Sequence, residues 1–116
     1  MEKTLRMSLL FDFYGPLLTE RQQDVFQMYF HEDLSLGEIA EQLDISRQAV
    51  YDLLKRASAI LEDFEFKLAL VAKHRERQEI YGKLLTLVAD LASRSEEHST
   101  LLAQLEEGIR QAQATS

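Results

Sequence analysis

A chain of 116 residues with one proline and four glycines has little with which to turn a corner. An all-β fold needs a turn about every ten residues, and those turns draw on glycine and proline. Here Pro16 follows Gly15, leaving Gly37, Gly82 and Gly108 for everything else. Leu, Ala, Glu, Gln, Lys and Arg dominate the remainder, all good helix formers. The expectation is an all-α fold, with no internal repeat.

Apolar residues make up 46% of the chain and charged residues 28%, enough to bury a core, so wholesale disorder is not expected. The length suits one compact domain, or one small domain with a helical extension. The absence of cysteine excludes disulfide scaffolds, cysteine zinc sites and thiol catalysis, and fits a cytoplasmic, reducing setting. Thirteen basic against twenty acidic residues give a net charge of −7, so no global positive field draws in nucleic acid or an anionic membrane. No apolar stretch approaches the roughly 20 residues a membrane span requires. Leu9, Leu10 and Phe11 are cut short by Asp12, which argues against a signal peptide.

The spacing predicts a first helix from Glu2 to Tyr14, ended by Gly15-Pro16. Thr19 and Gln22 form a capping box that opens a second helix, with Val25, Phe26, Tyr29 and Phe30 on its inner side. Residues 31–34 read as a loop. Ser35 and Glu38 form a second capping box before a short helix through Leu43, and Ser46 caps a third. From Val50 through Leu53, Leu54, Ala57, Ile60, Leu61, Phe64 and Leu68 to Val71, apolar positions fall in steps of three and four, one continuous stripe with no breaker. A further stripe runs through Tyr81, Leu84, Leu85, Val88 and Leu91. Ser93-Arg94-Ser95 is the expected turn. Ser95 or Ser99 would cap a last helix carrying Leu101, Leu102, Leu105 and Ile109, with fraying from Gln111 to Ser116. The expected organisation is a domain over residues 1–63 and a helical extension over 64–116.

Residues 35–56 carry the argument. Two short helices crossing steeply need a small side chain where their backbones approach, and Ala40 falls there. Ile39 and Leu43 line the first helix; Val50, Leu53 and Leu54 line the second. The tight turn between them favours a residue tolerant of positive φ, a role Asp44 can fill, and Ile45 tucks the turn into the core. Arg47, Gln48, Tyr51, Asp52 and Lys55 remain on the exposed side, which a recognition helix offers to the major groove. Arg47 suits a guanine edge, Gln48 an adenine edge, and Tyr51 a phosphate or thymine methyl. Asp52 repels phosphate unless it accepts from a cytosine amino group. Arg56 lies beside this face. Thr19, Arg21, Ser35 and Ser46 sit at helix starts, where amides and hydroxyls meet phosphates.

The run Leu18-Thr19-Glu20-Arg21-Gln22, with Val25-Phe26, Tyr29-Phe30, residues 31–35, Glu38-Ile39-Ala40, Ile45-Ser46, Ala49-Val50 and Lys55-Arg56-Ala57, resembles region 4 of the sigma-70 family. That region places its last helix in the promoter −35 major groove. The likeness covers about residues 17–61. It departs at Asp44, where glycine is common, and no other sigma region is recognisable. With Leu9 to Gly15 and Leu17-Leu18-Thr19 included, the chain resembles the small YlxM family of bacterial proteins, which join a sigma-region-4-like half to a helical C-terminal half. The resemblance implies a DNA-binding regulator and a link to the signal recognition particle pathway.

Charge tempers that implication. Between Thr19 and Ile60 there are four basic residues against eight acidic ones, a net of −4. Phosphate neutralisation supplies most non-specific affinity, so a monomer is expected to bind weakly. Two readings stay open: binding of DNA, or use of the fold as a scaffold for RNA or a protein partner, such as a component of the signal recognition particle machinery. A second basic cluster, Lys67, Lys73, His74, Arg75 and Arg77, reads either as a phosphate contact or as a solvated face paired with Glu76 and Glu79, the reading favoured here.

The C-terminal stripes are too apolar to stand alone in water. Phe64, Leu68, Val71, Tyr81, Leu84, Leu85, Val88, Leu91, Leu102, Leu105 and Ile109 are expected to mediate homodimerisation. Packing within one chain is the alternative. A dimer suits a helix-turn-helix module, because two modest half-sites multiply in affinity. No cofactor, metal site or membrane insertion is expected. His31, His74 and His98 lie far apart in charged surroundings, and no glycine-rich phosphate loop, H-E-x-x-H or nucleophile elbow occurs, so an enzyme is not expected.

Overall fold

The computed structural model describes residues 2–115. Those residues form six α-helices and a 3-10 turn, with no strand among them. The helices are α1 (Lys3–Tyr14), α2 (Glu20–Phe30), α3 (Leu36–Leu43), α4 (Arg47–Leu68), α5 (Leu70–Arg94) and α6 (Ser99–Thr115); the 3-10 turn is Gly15–Leu17. The chain divides into two compact units after Val71.

In the first unit, α1, α2 and α3 all pack on α4. One part of the core joins Met7, Leu10, Tyr14, Leu18, Phe26, Ala57, Leu61 and Val71, with Phe11 stacked on Phe26 at 4.8 Å between ring centroids. The other lies under the helix-turn-helix and joins Val25, Ile39, Ala40, Val50 and Leu54, with Leu34, Leu43, Ile45 and Leu53 packed against it. Phe30 touches both. Tyr29 departs from expectation: it is 39% exposed, because Val25, Phe26 and Phe30 take the inward positions of α2.

Both capping boxes form. Thr19 Oγ1 accepts from the Gln22 amide at 3.2 Å while Gln22 Oε1 accepts from the Thr19 amide at 3.0 Å. Ser35 and Glu38 make the same exchange at 3.1 Å each way. Ser46 Oγ accepts from the Ala49 amide at 3.0 Å and opens α4.

The stripe from Val50 to Val71 is not one helix. It breaks at Ala69, which adopts the left-handed conformation at φ 54°. The break is held from below by two side chains. Tyr14 Oη donates to Glu65 Oε1 at 2.6 Å and accepts from the Leu70 amide at 3.0 Å. Glu65 Oε1 also accepts from the Val71 amide at 3.0 Å. A buried carboxylate and phenol thus satisfy the first amides of α5, as an N-cap side chain would. On the outer side of α1, Arg6 clasps Glu62 of α4 through two hydrogen bonds at 2.7 and 2.6 Å.

In the second unit the turn falls at residues 95–98, slightly beyond the expected one. Gln78 Nε2 donates to the Gln113 carbonyl at 3.1 Å, tying the early part of α5 to the late part of α6. Helix α6 continues through the segment expected to fray, as far as Thr115, whose hydroxyl donates back to the Gln111 carbonyl at 3.1 Å; Ser116 lies outside the described residues. No helix among the described residues is long and apolar enough to cross a membrane.

Candidate nucleic-acid interface

The sharp reversal between α3 and α4 rests on three residues. Asp44 is left-handed at φ 55°, ψ 48°. Its amide donates to the Glu41 carbonyl at 3.4 Å, and the Ile45 amide reaches the Ala40 carbonyl at 3.0 Å, the Schellman closure of a helix end. Ile45 turns into the core beside Ala40, as the sequence predicts. Ser46 then starts α4 within one residue.

Seating Val50, Leu54, Ala57 and Leu61 inward fixes the opposite side of α4. At about 100° per residue, Gln48, Asp52, Lys55 and Arg56 lie within about 50° of the direction opposite the core, Tyr51 lies at the edge of that face, and Arg47 is about half a turn from Arg56. All six are exposed. Three are not free extended probes. Gln48 Nε2 donates to Asp52 Oδ1 at 3.1 Å, so the amide and the carboxylate are presented together. The Arg47 guanidinium lies over Gly37 of α3, where a Cβ would come within 2.9 Å of it. Gly37 therefore leaves room for Arg47 to lie back across the two helices, a relation that appears only once they cross.

The acids are distributed unevenly. Seven of the eight between Thr19 and Ile60 lie on α2, α3 and the turns; only Asp52 lies on the first three turns of α4, where Arg47, Lys55 and Arg56 outnumber it. The first turn of α4 carries no acid, whereas those of α2 and α3 carry Glu20 and Glu38. The hydroxyls of Thr19, Ser35 and Ser46 are each engaged with the amide three residues on, which removes that amide as a phosphate donor. Arg21 is exposed near the start of α2.

Charge pairing elsewhere differs from expectation. Lys67 pairs with Asp63 at 2.9 Å, one turn back. Lys73, Arg75 and Arg77 are exposed, and none is paired with Glu76 or Glu79 among the described residues. His74 is half-buried rather than solvated, while His31 sets its ring edge against Phe11 at 5.6 Å.

The apolar residues of the C-terminal half separate into covered and open sets. Val71 is 3% exposed and Phe64 is half-buried; both belong to the core of the first unit and are spent within it. Val88 and Leu102 are buried, and Tyr81, Leu85 and Ile109 half-buried. Leu68, Leu84, Leu91 and Leu105 are exposed. Ile80 and Leu87 are also exposed, and complete with Leu84 and Leu91 a stripe in steps of four, three and four. These two lie off the stripe expected from the sequence, because Tyr81, Leu85 and Val88 have the same spacing one residue later.

Residues 1–107 match the family described as "Putative helix-turn-helix protein, YlxM / p13 like" (UPF0122). A UPF0122 protein of Bacillus thuringiensis (strain Al Hakam) is 48% identical over 106 residues, covering 91% of this chain and 96% of the relative. UPF0122 proteins of Bacillus cereus (strain Q1) and Bacillus anthracis (strain A0248) match with the same identity and coverage. The chain belongs to this helix-turn-helix family.

Proposed function

From that family membership and the face of α4, we propose that the protein is a DNA-binding regulator that lays the first three turns of α4 in the major groove. One observation carries the reading: a chain of net charge −7 places Arg47, Lys55 and Arg56, all exposed, on the first three turns of α4, where Asp52 is the one acid. Gln48 and Asp52 form a joined donor–acceptor pair at the centre of that face, suited to base edges, while Tyr51 and the three cations suit phosphates and guanine. Arg21 and the cap residues Thr19, Ser35 and Ser46, whose hydroxyls can still donate, are the further candidates for phosphate contact.

Three cations per chain give modest affinity, so the reading includes a homodimer formed through the open stripe Ile80, Leu84, Leu87 and Leu91 with Leu101 and Leu105. Stripes at this near-heptad spacing associate by knobs-into-holes packing, and two half-sites then multiply. The deciding experiment is selection of bound sequences from random duplex DNA at low salt with the full chain. Enrichment of a two-fold motif that Arg47→Ala/Lys55→Ala abolishes, with circular dichroism unchanged, is the expected result. Equal retention by that variant overturns it.

The acid excess on α2 and α3 favours a second reading, in which the fold docks on a basic protein or ribonucleoprotein partner, including one of the signal recognition particle machinery. Recovery of such a partner from lysate after nuclease treatment, with no enriched duplex, would select it.

A further inference from the structure

Beside the outward face of α4 the first unit has a cleft of about 300 Å³ that duplex binding does not require. Its rim combines Lys3 of α1, Tyr29 of α2, and Tyr51, Lys55 and Ser58 of α4. Phe30 and the apolar side chains of Leu36 and Leu54 line it as well. Tyr29 and Tyr51 are 39% and 48% exposed, so each ring offers surface to a ligand. Tyr29 and Phe30 meet in a T-shaped contact, centroids 5.0 Å apart at 79°, and the exposure of Tyr29 leaves part of its ring open to the cleft. Among the described residues, Lys3, Tyr51, Lys55 and Ser58 have no hydrogen-bonding or ionic partner.

We propose that this cleft binds a nucleobase carrying a phosphate. Planar rings and an apolar floor take the face of a base, because every base has a π surface and stacking tolerates any sequence. Two lysines in an otherwise acidic chain take the anionic end. A neighbouring cleft shares Tyr29 and Phe30 but carries Asp33 and Glu38, which directs a phosphate away from it and toward Lys3 and Lys55. The volume, at the lower bound of about 300 Å³ for small-molecule sites, suits one nucleotide and not a helix or a longer strand. The ligand is either a free nucleotide or an unpaired base of a strand; the chemistry is common to both. Since Tyr51 and Lys55 also belong to the duplex-facing surface, occupancy withdraws them from DNA. The cleft itself does not depend on that surface binding a duplex.

The test is a titration of the full chain followed by ¹H–¹⁵N correlation spectra. The probes are AMP, GMP, CMP and UMP, adenosine and inorganic phosphate alone, and a 5′-phosphorylated pentanucleotide. Nucleotides are expected to shift the amides around Tyr29, Tyr51 and Lys55, and to bind at least fivefold more tightly than adenosine or phosphate. Tyr51→Leu and Lys3→Gln should each weaken AMP binding by fivefold or more, with unchanged circular dichroism. Tighter binding of the pentanucleotide assigns the ligand to a strand; equal or weaker binding assigns it to free nucleotide. Absence of shifts at millimolar nucleotide overturns the proposal, as does phosphate binding as well as AMP, or binding that neither variant alters. Duplex retention measured on the same protein keeps failure here separate from failure of the DNA-binding reading.

Discussion

Tyr14 is the residue at which composition misleads most. In the sequence it is one more apolar position of α1; in the structure it is fully buried, yet its hydroxyl links α1 to Glu65 and to the first amide of α5. Removing one partner of a buried hydrogen bond leaves the other unsatisfied, so Tyr14→Phe is expected to cost about 2 kcal/mol in urea unfolding. Burial, and then the hydrogen bond to Glu65, push the phenol's pKa above its ordinary value of 10.0. A group whose pKa is higher folded than unfolded lends its stability fully below the unfolded value and loses it as pH climbs through the folded one. Alkaline unfolding should therefore steepen above about pH 10 in the native chain and less in Tyr14→Phe, so the two stability curves converge there. The opposite arm belongs to Glu62. Its hydrogen bonds to Arg6 hold the carboxyl below the usual range, so that contribution is present above the ordinary glutamate pKa and is lost as pH falls through the depressed one. Both partners are about two-fifths exposed, and exposed pairs contribute roughly 0.2–1 kcal/mol, so Glu62→Gln should cost less than about 1 kcal/mol at neutral pH and close to nothing in acid.

At the scale of elements, what was legible was what is local. A capping box is written within four residues, so the starts of α2 and α3 could be placed from Thr19 with Gln22 and Ser35 with Glu38. The α3–α4 turn was legible because Asp44 tolerates positive φ and Ile45 is an isolated apolar residue beside it. The end of α4 was not legible. Alanine is the strongest helix former, and Ala69 sits inside an unbroken apolar stripe. The side chains that stabilise its left-handed turn include Tyr14, 56 residues from the Leu70 amide it holds, a distance that no periodicity encodes. The fold of Arg47 over Gly37 was hidden for the same reason, since it exists only after α3 and α4 cross. The left-handed conformation costs an L-residue about 1–2 kcal/mol, and glycine loses about 0.5–1 kcal/mol of backbone freedom in exchange. Ala69→Gly is therefore expected to stabilise the chain by about 0.5 kcal/mol, and Ala69→Val to destabilise it by more than about 1 kcal/mol, read from urea midpoints. At the head of the same helix, Ser46→Ala should cost about 1 kcal/mol through loss of the cap on the Ala49 amide.

For the whole molecule the question is how an acidic chain would hold a polyanion. Each phosphate neutralised contributes about −0.9 to the slope of log affinity against log salt, so three cations give roughly −3 for one chain and about twice that for a pair. A slope near the larger value in DNA retention assays would mean that both copies contact the duplex. The open leucines of α5 decide whether a pair exists. Leu84→Glu/Leu87→Glu places charges in the exposed stripe without touching the buried Val88 or Leu102. If the proposed pair forms, light scattering should give two chains for the native protein and one for this variant, with helicity retained. The slope should halve and affinity fall by at least tenfold, because the second half-site no longer adds its binding energy to the first. Arg47→Ala, by contrast, should weaken retention while leaving the pair intact, which would separate the surface proposed to read DNA from the one proposed to pair the chains. A native chain that scatters as a single copy at high concentration, yet binds with the larger slope, would move the missing cations to Lys73, Arg75 and Arg77, the exposed cluster on α5 that pairs with neither Glu76 nor Glu79.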